Sequence, residues 1–291
     1  MHRSGFVNII GNPNVGKSTL MNALVGEKLS IITSKAQTTR HRIMGIVSGE
    51  DFQIVYSDTP GILKPSYKLQ ESMMNFVRGA LSDADVLLYV TDTVERDDER
   101  AAEIIDRIRQ SGVPTLVVVN KIDLTTQEAL EALVEKWRAT LPDAEIIPIS
   151  AREGFNIAGL FDRILALLPE GEPFYPKDTL TDKTLRFFAS EIIREKILRN
   201  YDKEIPYSCE IEIEEYREEP GIDRISAVIY VARNSQKGIL IGHKGEKLKK
   251  VGRQAREELE EFLRKKVFLQ LFVKVSEDWR NDQRQLRRFG Y

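Results

Sequence analysis

The stretch at residues 11–18, with the sequence GNPNVGKS, constrains the fold more than any other part of this chain. It fits the pattern G-x-x-x-x-G-K-[S/T], in which glycines allow backbone N–H groups to curl around phosphate oxygens. The apolar run at residues 6–10 predicts a buried strand before the loop, and residues 17–25 predict a helix after it. Such a helix adds the positive end of its dipole to the loop. We therefore expect a polyphosphate ligand here.

The chemistry of the loop assigns a role to its last residues. The Lys17 ammonium can reach the outer phosphates, and the Ser18 hydroxyl can ligate Mg²⁺. The predicted phosphate contacts come from Gly11, Asn12, Asn14, Val15, Gly16, Lys17, Ser18 and Thr19. A glycine-containing turn without a ligand is the alternative, and the correct flanking elements favour the phosphate site.

Residues 1 to about 170 alternate short apolar runs with amphipathic stretches, which predicts a mainly parallel sheet covered by helices on both faces. The predicted strands are residues 6–10, 43–47, 53–57, 86–90, 115–119 and 145–148. The predicted helices are residues 17–25, 69–81, 99–110, 127–140 and 157–168. Ligands of such sheets bind beyond the carboxyl ends of the strands, so the loops after the strands are the candidate site.

Three of these loops carry polar motifs. Asp58-Thr59-Pro60-Gly61 follows the third strand, where Asp58 can hold Mg²⁺ and the Gly61 N–H can contact a γ-phosphate. Asn120-Lys121-Ile122-Asp123 follows the fifth strand; its aspartate can accept hydrogen bonds from the N1–H and N2–H₂ groups of guanine, a pair that adenine lacks. Ser150 and Ala151 follow the sixth strand, where backbone N–H groups could bind guanine O6.

The polar stretch at residues 33–42 is typical of a segment that changes conformation with the ligand. A threonine in it could add its hydroxyl to Mg²⁺ only when a γ-phosphate is present. We favour Thr39 as this ligand, with Thr38 as the alternative. If the stretch has no functional role, it is a solvated surface loop.

Charge is distributed unevenly along the 291 residues, whose overall net charge is −2. Residues 176–291 hold 25 lysines and arginines against 21 acidic residues, and residues 1–175 hold 18 against 24. The more basic half is a candidate for contact with a polyanion. Cys209 is the single cysteine, which excludes an intramolecular disulfide and favours the reducing cytoplasm; we expect it to be buried.

The second half has a different order of elements after a linker rich in proline at residues 169–176. The predicted order is helix, strand, strand, helix, the loop G-x-x-G at residues 242–245, a long helix and a last strand. Residues 237–256 contain seven lysines and arginines and one acidic residue, Glu246. Glycines let such a loop approach a sugar–phosphate backbone closely, so RNA is the expected ligand; a connecting turn with a solvated charged face is the alternative.

The predicted RNA contacts are Ile241, Gly242, His243, Lys244, Gly245, Lys247, Lys250 and Arg253. Ile239, Ile241 and Leu248 could line a groove for bases or belong to the core. The tail at residues 279–291 mixes arginines with aromatics, and it could stack on RNA or dock Trp279 and Leu286 as a terminal helix.

The motifs at residues 11–18, 58–61, 120–123 and 150–151, with Thr39, resemble the ordered set of the small GTP-binding proteins. The variants GNPNVGKS and DTPG, with TTRHR at residues 38–42, resemble the Era-type ribosome-assembly GTPases of the translation-factor-related branch. The loop at 242–245 with its flanking elements resembles the KH RNA-binding domain of the second topology. The ending of the chain is similar too, so the resemblance covers nearly all of it.

The resemblance implies an α/β P-loop GTPase domain with a mostly parallel six-stranded sheet (residues 1–170), a linker (171–180) and an α+β type II KH domain with a tail (181–291). It implies GTP and GDP as ligands, Mg²⁺ bound by Ser18, Thr39 and Asp58, and hydrolysis involving Lys17, Asn14, Thr39 and Gly61. It also implies small-subunit ribosomal RNA near its 3′ end and the small ribosomal subunit as partners of a monomer. Such a switch would act in rRNA processing and subunit biogenesis.

One departure from Ras-like proteins concerns Ile62, which stands where they place a water-orienting glutamine, so we expect slow intrinsic hydrolysis. In related GTPases the asparagine at the position of Asn14 is implicated in binding K⁺. Two other classes stay open: an ATP-dependent kinase, and a GTPase at the inner face of the cell membrane whose basic half contacts anionic lipid.

Overall fold

The structure is a computed structural model that describes residues 2–94 and 99–291. The described chain separates into two compact units. The first contains the residues up to Ser66 together with Gln70–Asp182, and the second contains Tyr67–Leu69 and Lys183–Tyr291. Each unit has its own sheet.

Within the described residues of the first unit, six strands form one sheet of order β2-β3-β1-β4-β5-β6, in which only the β2–β3 pair is antiparallel. The strands are β1 (Arg3–Gly11), β2 (Ile43–Ser48), β3 (Phe52–Asp58), β4 (Val86–Asp92), β5 (Thr115–Asn120) and β6 (Glu145–Pro148). Residues of β4 and β5 are almost all buried, as expected for parallel strands covered on both faces.

Helices cover both faces of this sheet, as the sequence predicts. They are α1 (Lys17–Val25), α2 (Lys68–Ser82), α3 (Glu99–Ser111), α4 (Gln127–Thr140) and α5 (Ile157–Leu167). A short 3₁₀ turn, Ile122–Leu124, follows β5. On one face, Leu87, Tyr89 and Val117 pack with Val77 of α2 and Ile104 of α3. Because the helices cover the faces of the sheet, the polar loops lie at the carboxyl ends of its strands.

The end of the segment predicted as a linker, together with the two residues after it, lies along the edge strand β2 of the first unit. The Ile46 N–H donates to the Leu180 carbonyl at 2.8 Å, the Thr181 hydroxyl donates to the Met44 carbonyl at 2.6 Å, and the Met44 N–H donates to Asp182 at 3.0 Å. These bonds satisfy part of an otherwise open sheet edge. The sequence did not indicate this pairing, because residues 171–180 have no strand pattern.

The second unit has the α+β arrangement that the sequence predicts, with sheet order β7-β8-β9. Its elements are α6 (Leu185–Asn200), α7 (Ile205–Ser208), β7 (Cys209–Glu219), β8 (Ile222–Val231), α8 (Asn234–Ile241), α9 (Glu246–Leu263), β9 (Lys266–Val275) and α10 (Gln283–Arg288). β7 is antiparallel and β9 parallel to β8. Helices α6 and α9 pack on the sheet through one apolar core, which includes the buried Cys209.

The tail docks as a terminal helix, which is the second of the two alternatives drawn from the sequence. Trp279 and Leu286 are fully buried. The Trp279 Nε1–H donates to the Ser208 carbonyl at 3.1 Å, and the Phe289 ring lies 5.3 Å from the Tyr230 ring. Of the aromatic side chains in this segment, Trp279 is buried, and Phe289 and Tyr291 are partly buried.

Candidate functional site

The loop between β1 and α1 has the backbone that only glycine adopts at its two key positions. Gly16, which precedes α1, has φ of 98°, and a Cβ there would lie 2.2 Å from Asn120 Nδ2. At Gly11 a Cβ would lie 2.1 Å from the Val90 carbonyl oxygen. Any side chain at either position would push the loop away from the neighbouring strands. The loop therefore lies close to the neighbouring strands at the beginning of a helix, where backbone N–H groups can bind an anion.

Lys17 folds back over this loop. Its Nζ donates to the carbonyl oxygens of Gly11 (3.0 Å) and Asn12 (2.8 Å), and the side chain is buried. Burial lowers the pKa of Lys17 to about 8, while the charge of Asp58 acts in the opposite direction. Phosphate oxygens beside Nζ would favour the charged ammonium, so this lysine is suited to a polyanionic ligand.

Three oxygen-bearing side chains converge beside Lys17. The Ser18 hydroxyl donates to Asp58 Oδ2 at 2.7 Å and lies 2.9 Å from the Thr39 hydroxyl, which is 3.4 Å from the same carboxylate oxygen. Burial raises the pKa of Asp58, and the nearby charge of Lys17 opposes this. Among the described residues, Asp58 Oδ1 is buried without a hydrogen bond. Hydroxyl and carboxylate oxygens of this kind fit Mg²⁺.

The two threonines of the polar stretch point to different partners. The Thr38 hydroxyl lies 2.6 Å from the Thr33 hydroxyl and donates to the Lys35 carbonyl at 2.6 Å, within its own turn. The Thr39 hydroxyl reaches Ser18 and Asp58 instead. The geometry thus supports Thr39 over Thr38 as a candidate metal ligand.

The loop after β3 packs against the phosphate loop. A Cβ on Gly61 would lie 2.8 Å from Pro13 Cα, and the Ile62 N–H donates to the Gly11 carbonyl at 3.1 Å. The Ile62 side chain is buried in the core beneath α2 and α3. It therefore supplies no group that could orient water, in agreement with the departure noted in the sequence.

The motif after β5 is bonded to the phosphate loop and to the loop after β6. Asn120 Nδ2 donates to the Val15 carbonyl at 2.9 Å, and Asn120 Oδ1 accepts from the Ala151 N–H at 2.9 Å. The Ser150 hydroxyl donates to Asp123 Oδ1 at 2.6 Å, which orients an exposed carboxylate. The predicted base-binding residues are thus brought together from two loops.

A cavity of about 480 Å³ lies among these elements. Its lining includes Asn14, Gly16, Lys17, Ser18, Thr19, Thr39, Gly61, Lys121 and Arg152, together with several residues between Ile31 and Thr38. The volume is within the range of pockets for small ligands and cofactors. The phosphate loop, the polar stretch at residues 33–42, Gly61 and Lys121 contribute to the lining, so it is the candidate nucleotide pocket. The lining does not include Asp58, Asn120, Asp123, Ser150 or Ala151.

Asp92 is a charged residue of this region that the sequence motifs did not indicate. It is the last residue of β4 and lies opposite Asn120 in the parallel β4–β5 register. Its side chain contacts Lys121. Its position after a buried apolar strand was the available signal, because the carboxyl ends of neighbouring parallel strands lie at one edge of the sheet.

The G-x-x-G loop of the second unit joins α8 to α9. Gly242 has φ of 73°, and a Cβ there would lie 2.8 Å from Lys247 Cγ. The basic side chains predicted for RNA are exposed along this loop and the following helix: His243, Lys244, Lys247, Lys250 and Arg253. Gly245, with φ of 79°, is the residue before α9. This surface can approach a phosphate backbone closely.

The apolar residues beside this loop divide between core and surface. Ile241 and Leu248 are partly buried and pack against the core of the second unit, whereas Ile239 is 43% exposed. Both readings drawn from the sequence therefore apply to part of the set.

Among the helices of residues 2–94 and 99–291, none combines the length and the apolar character that a membrane-spanning helix requires.

Both units match known protein families. Residues 6–121 match the family described as 50S ribosome-binding GTPase, and residues 204–280 match the KH domain. Two solved structures have 42% sequence identity to this chain and superimpose on it with TM-scores of 0.96 and 0.95, over nearly the whole of both chains. One is Era in complex with MgGDPNP and nucleotides 1506–1542 of 16S ribosomal RNA. The other is a variant of Aquifex aeolicus Era bound to GDP·AlF₄⁻.

Relatives of full length agree with this match. The chain is 45% identical over 292 residues to the GTPase Era of Alkaliphilus metalliredigens, covering all of this chain and 99% of that protein. It is 46% identical over 293 residues to the GTPase Era of Syntrophus aciditrophicus, covering 96% of that protein. Guanine-nucleotide hydrolysis follows from this relationship together with the phosphate loop and its partner motifs. The chain belongs to the Era family of GTPases.

Proposed function

We propose that this GTPase is a nucleotide-controlled RNA-binding protein that acts on small-subunit ribosomal RNA near its 3′ end during maturation of the small subunit. The observation that carries the proposal is the relative that binds MgGDPNP and nucleotides 1506–1542 of 16S ribosomal RNA together, at 42% identity over the whole chain. Both sites have counterparts in this chain, the pocket beside Lys17 and the exposed basic loop at Gly242.

The first unit, with functional limits near residues 1–170, would bind the guanine nucleotide. The phosphate loop supplies backbone N–H groups, and the Lys17 ammonium neutralises phosphate charge. Asp123 pairs with the guanine edge, while Asn120 and Ala151 hold the base loops together by the bonds described above. The proposed contacts are Gly11, Asn12, Asn14, Val15, Gly16, Lys17, Ser18, Thr19, Asp58, Gly61, Asn120, Lys121, Asp123, Ser150 and Ala151.

Ser18, Thr39 and Asp58 are the residues that would hold Mg²⁺. The ion, when bound, would neutralise charge on the phosphate oxygens. Ser18 lies on α1 and Asp58 at the end of β3, so both are fixed by regular elements. Thr39 lies on a loop and can leave when the γ-phosphate is lost. This difference makes the threonine the nucleotide-sensitive part of the site.

The change at Thr39 has a physical route along the chain. β2 begins shortly after Thr39, and Met44 and Ile46 of β2 bond to residues 180–182. The main segment of the second unit begins at Lys183. A nucleotide-dependent movement of β2 would therefore reach the segment that leads to the RNA-binding unit, which supports nucleotide control of RNA binding.

A K⁺ ion bound by Asn14 would assist GTP hydrolysis. Asn14 has φ of 64° and its Nδ2 donates to the Ser34 carbonyl at 3.1 Å, which leaves the carboxamide oxygen for another partner. We expect hydrolysis at least about tenfold faster in K⁺ than in Na⁺, because a cation beside the phosphates acts like an arginine finger. The same rates measured for Asn14→Ala should show no such difference. Equal wild-type rates in the two salts, at unchanged GDP affinity, would contradict this.

The second unit, with functional limits near residues 181–291 after a linker at 171–180, would bind single-stranded RNA as a KH domain. Glycines at 242 and 245 allow close approach, and the exposed cations attract phosphates. The proposed contacts are Ile241, Gly242, His243, Lys244, Gly245, Lys247, Lys250 and Arg253. We further propose that the protein is a monomer, which sedimentation equilibrium would test.

The proposal is tested by the anisotropy of a labelled single-stranded oligonucleotide with the sequence of the small-subunit rRNA 3′ end. We expect binding about fivefold to 150-fold tighter with a non-hydrolysable GTP analogue than with GDP. Flotation with anionic vesicles tests the membrane alternative, which expects vesicle binding through the basic half and no specific binding of this RNA. Equal RNA affinity with both nucleotides would exclude nucleotide control, and absence of RNA binding would exclude the function itself.

A further inference from the structure

Lys121 makes two polar contacts that connect elements far apart in the chain. Its Nζ donates to the Asn14 carbonyl at 2.5 Å and to Asp92 Oδ2 at 2.8 Å. The lysine side chain is one-third exposed, whereas the Asp92 side chain is 1% exposed. A buried carboxylate thus faces a lysine that lines the nucleotide cavity.

From this geometry we infer that Asp92 is a positioning residue for guanine nucleotide binding and acts through Lys121. A buried aspartate that loses its cationic partner is strongly disfavoured, so the pair holds the lysine in one rotamer. That rotamer places Nζ on the carbonyl of Asn14, in the phosphate loop. Asp92 itself does not line the cavity, and its effect on the nucleotide is indirect.

The backbone at both ends of this bridge supports the inference. Asn14 has φ of 64° and Lys121 has φ of 63°, in the left-handed region, which is disfavoured for lysine and tolerated better by asparagine. Such conformations persist only when the surroundings determine them strongly. The Asp92–Lys121–Asn14 bridge joins the two residues, next to the Asn120–Val15 bond. Together they align the base motif with the phosphate loop.

The orientation of the Asp92 carboxylate is also fixed. Its Oδ1 accepts from the Val94 N–H at 3.2 Å, and its Oδ2 accepts from the Lys121 ammonium. An asparagine that keeps the bond to Val94 would turn its amide N–H₂ toward the ammonium, so donor would face donor. Asp92→Asn is therefore a nearly isosteric change that breaks the bridge.

The test measures dissociation of a fluorescent GDP analogue from the full-length protein. Asp92→Asn is expected to accelerate dissociation by about tenfold or more, since small misplacements around a binding site have effects of this size. Asp85→Asn is the matched control, because Asp85 precedes the same strand at its other end and accepts from the Phe6 N–H at 2.8 Å. The control should lower the unfolding temperature while leaving dissociation within about twofold of wild type.

A double-mutant cycle with Lys121→Met separates positioning from general destabilisation. If Asp92 acts through the lysine, Asp92→Asn should change the dissociation rate little in the Lys121→Met background. The same acceleration in both backgrounds, or a wild-type rate in Asp92→Asn alone, would overturn the inference. If the asparagine variant fails to fold, Asp92→Ser takes its place, because serine keeps an acceptor for the Val94 N–H but removes the charge. It should accelerate dissociation to the same extent.

Discussion

Asp123→Asn is expected to weaken GDP binding by about a hundredfold to ten-thousandfold and to create affinity for xanthosine diphosphate. Asp123 accepts from Ser150 through one oxygen and presents an exposed carboxylate at the base end of the site. Guanine would donate two hydrogen bonds to this carboxylate, each contributing about 1.5–3 kcal/mol because the acceptor is charged. The asparagine amide N–H₂ would oppose the guanine 2-amino group, so one of these bonds is lost and a donor is left unpaired, at a further cost of about 1–3 kcal/mol. Together the two effects correspond to the expected range of affinity.

The gain of xanthine recognition follows from reversing one donor–acceptor pair. Xanthine carries a carbonyl oxygen where guanine carries the 2-amino group, and the asparagine amide can donate to that oxygen. Ser150 can still donate to the asparagine oxygen, so the local fold should be retained. Isothermal titration with GDP and with xanthosine diphosphate measures both affinities directly.

Asp143→Asn provides the control, since Asp143 is exposed in the same unit and precedes the amino end of β6, whereas the base motifs follow the carboxyl ends of β5 and β6. It should leave both affinities unchanged. Unaltered GDP binding by Asp123→Asn, with no binding of xanthosine diphosphate, would show that another group recognises the base.

Gly242→Asp is expected to reduce RNA affinity by about a hundredfold while leaving GDP affinity unchanged. The residue has φ of 73°, and its Cβ would contact the Lys247 side chain at 2.8 Å. The new carboxylate would also lie where a phosphate must approach, and juxtaposed like charges cost several kcal/mol. A hundredfold loss corresponds to about 2.7 kcal/mol, which these effects can supply. Fluorescence anisotropy with the 3′-end oligonucleotide measures it.

Gly221→Asp is a matched control for this variant. Gly221 lies in the turn between β7 and β8 with φ of 80°, and a Cβ there would meet no atom within 4 Å. It introduces the same charge in the same unit at a glycine of similar conformation. RNA affinity should stay within about threefold of wild type, the effect of one distant charge. A similar loss in both variants would mean that the basic loop is not the RNA site.

The motifs of the nucleotide site were predictable because each is a local chemical requirement. A loop that packs against Val90 and Asn120 without room for a Cβ requires glycine at positions 11 and 16, and the sequence displays this directly. The same holds for Gly242. Alternating apolar and amphipathic runs likewise predicted the six-stranded sheet and the smaller α+β sheet, because burial of one face imposes its period on the chain.

Contacts between residues distant in the chain were not predictable in this way. The choice between Thr38 and Thr39 depends on which hydroxyl the loop turns toward Asp58, and neither residue type nor spacing determines it. The role of Asp92 depends on strand register, which places it beside Asn120. The docking of Thr181 and Asp182 on β2 depends on an open sheet edge.

Residue identity thus determined which chemistry each loop can perform, since phosphate and base recognition need particular groups on short stretches of backbone. Packing determined which of those groups meet. Lys121 and Asn14 are 107 positions apart, and only the order of strands in the sheet brings the ammonium to the carbonyl. The physical reason is that strand order and register follow from burial summed over the whole unit, whereas glycine geometry and donor patterns act within a few residues.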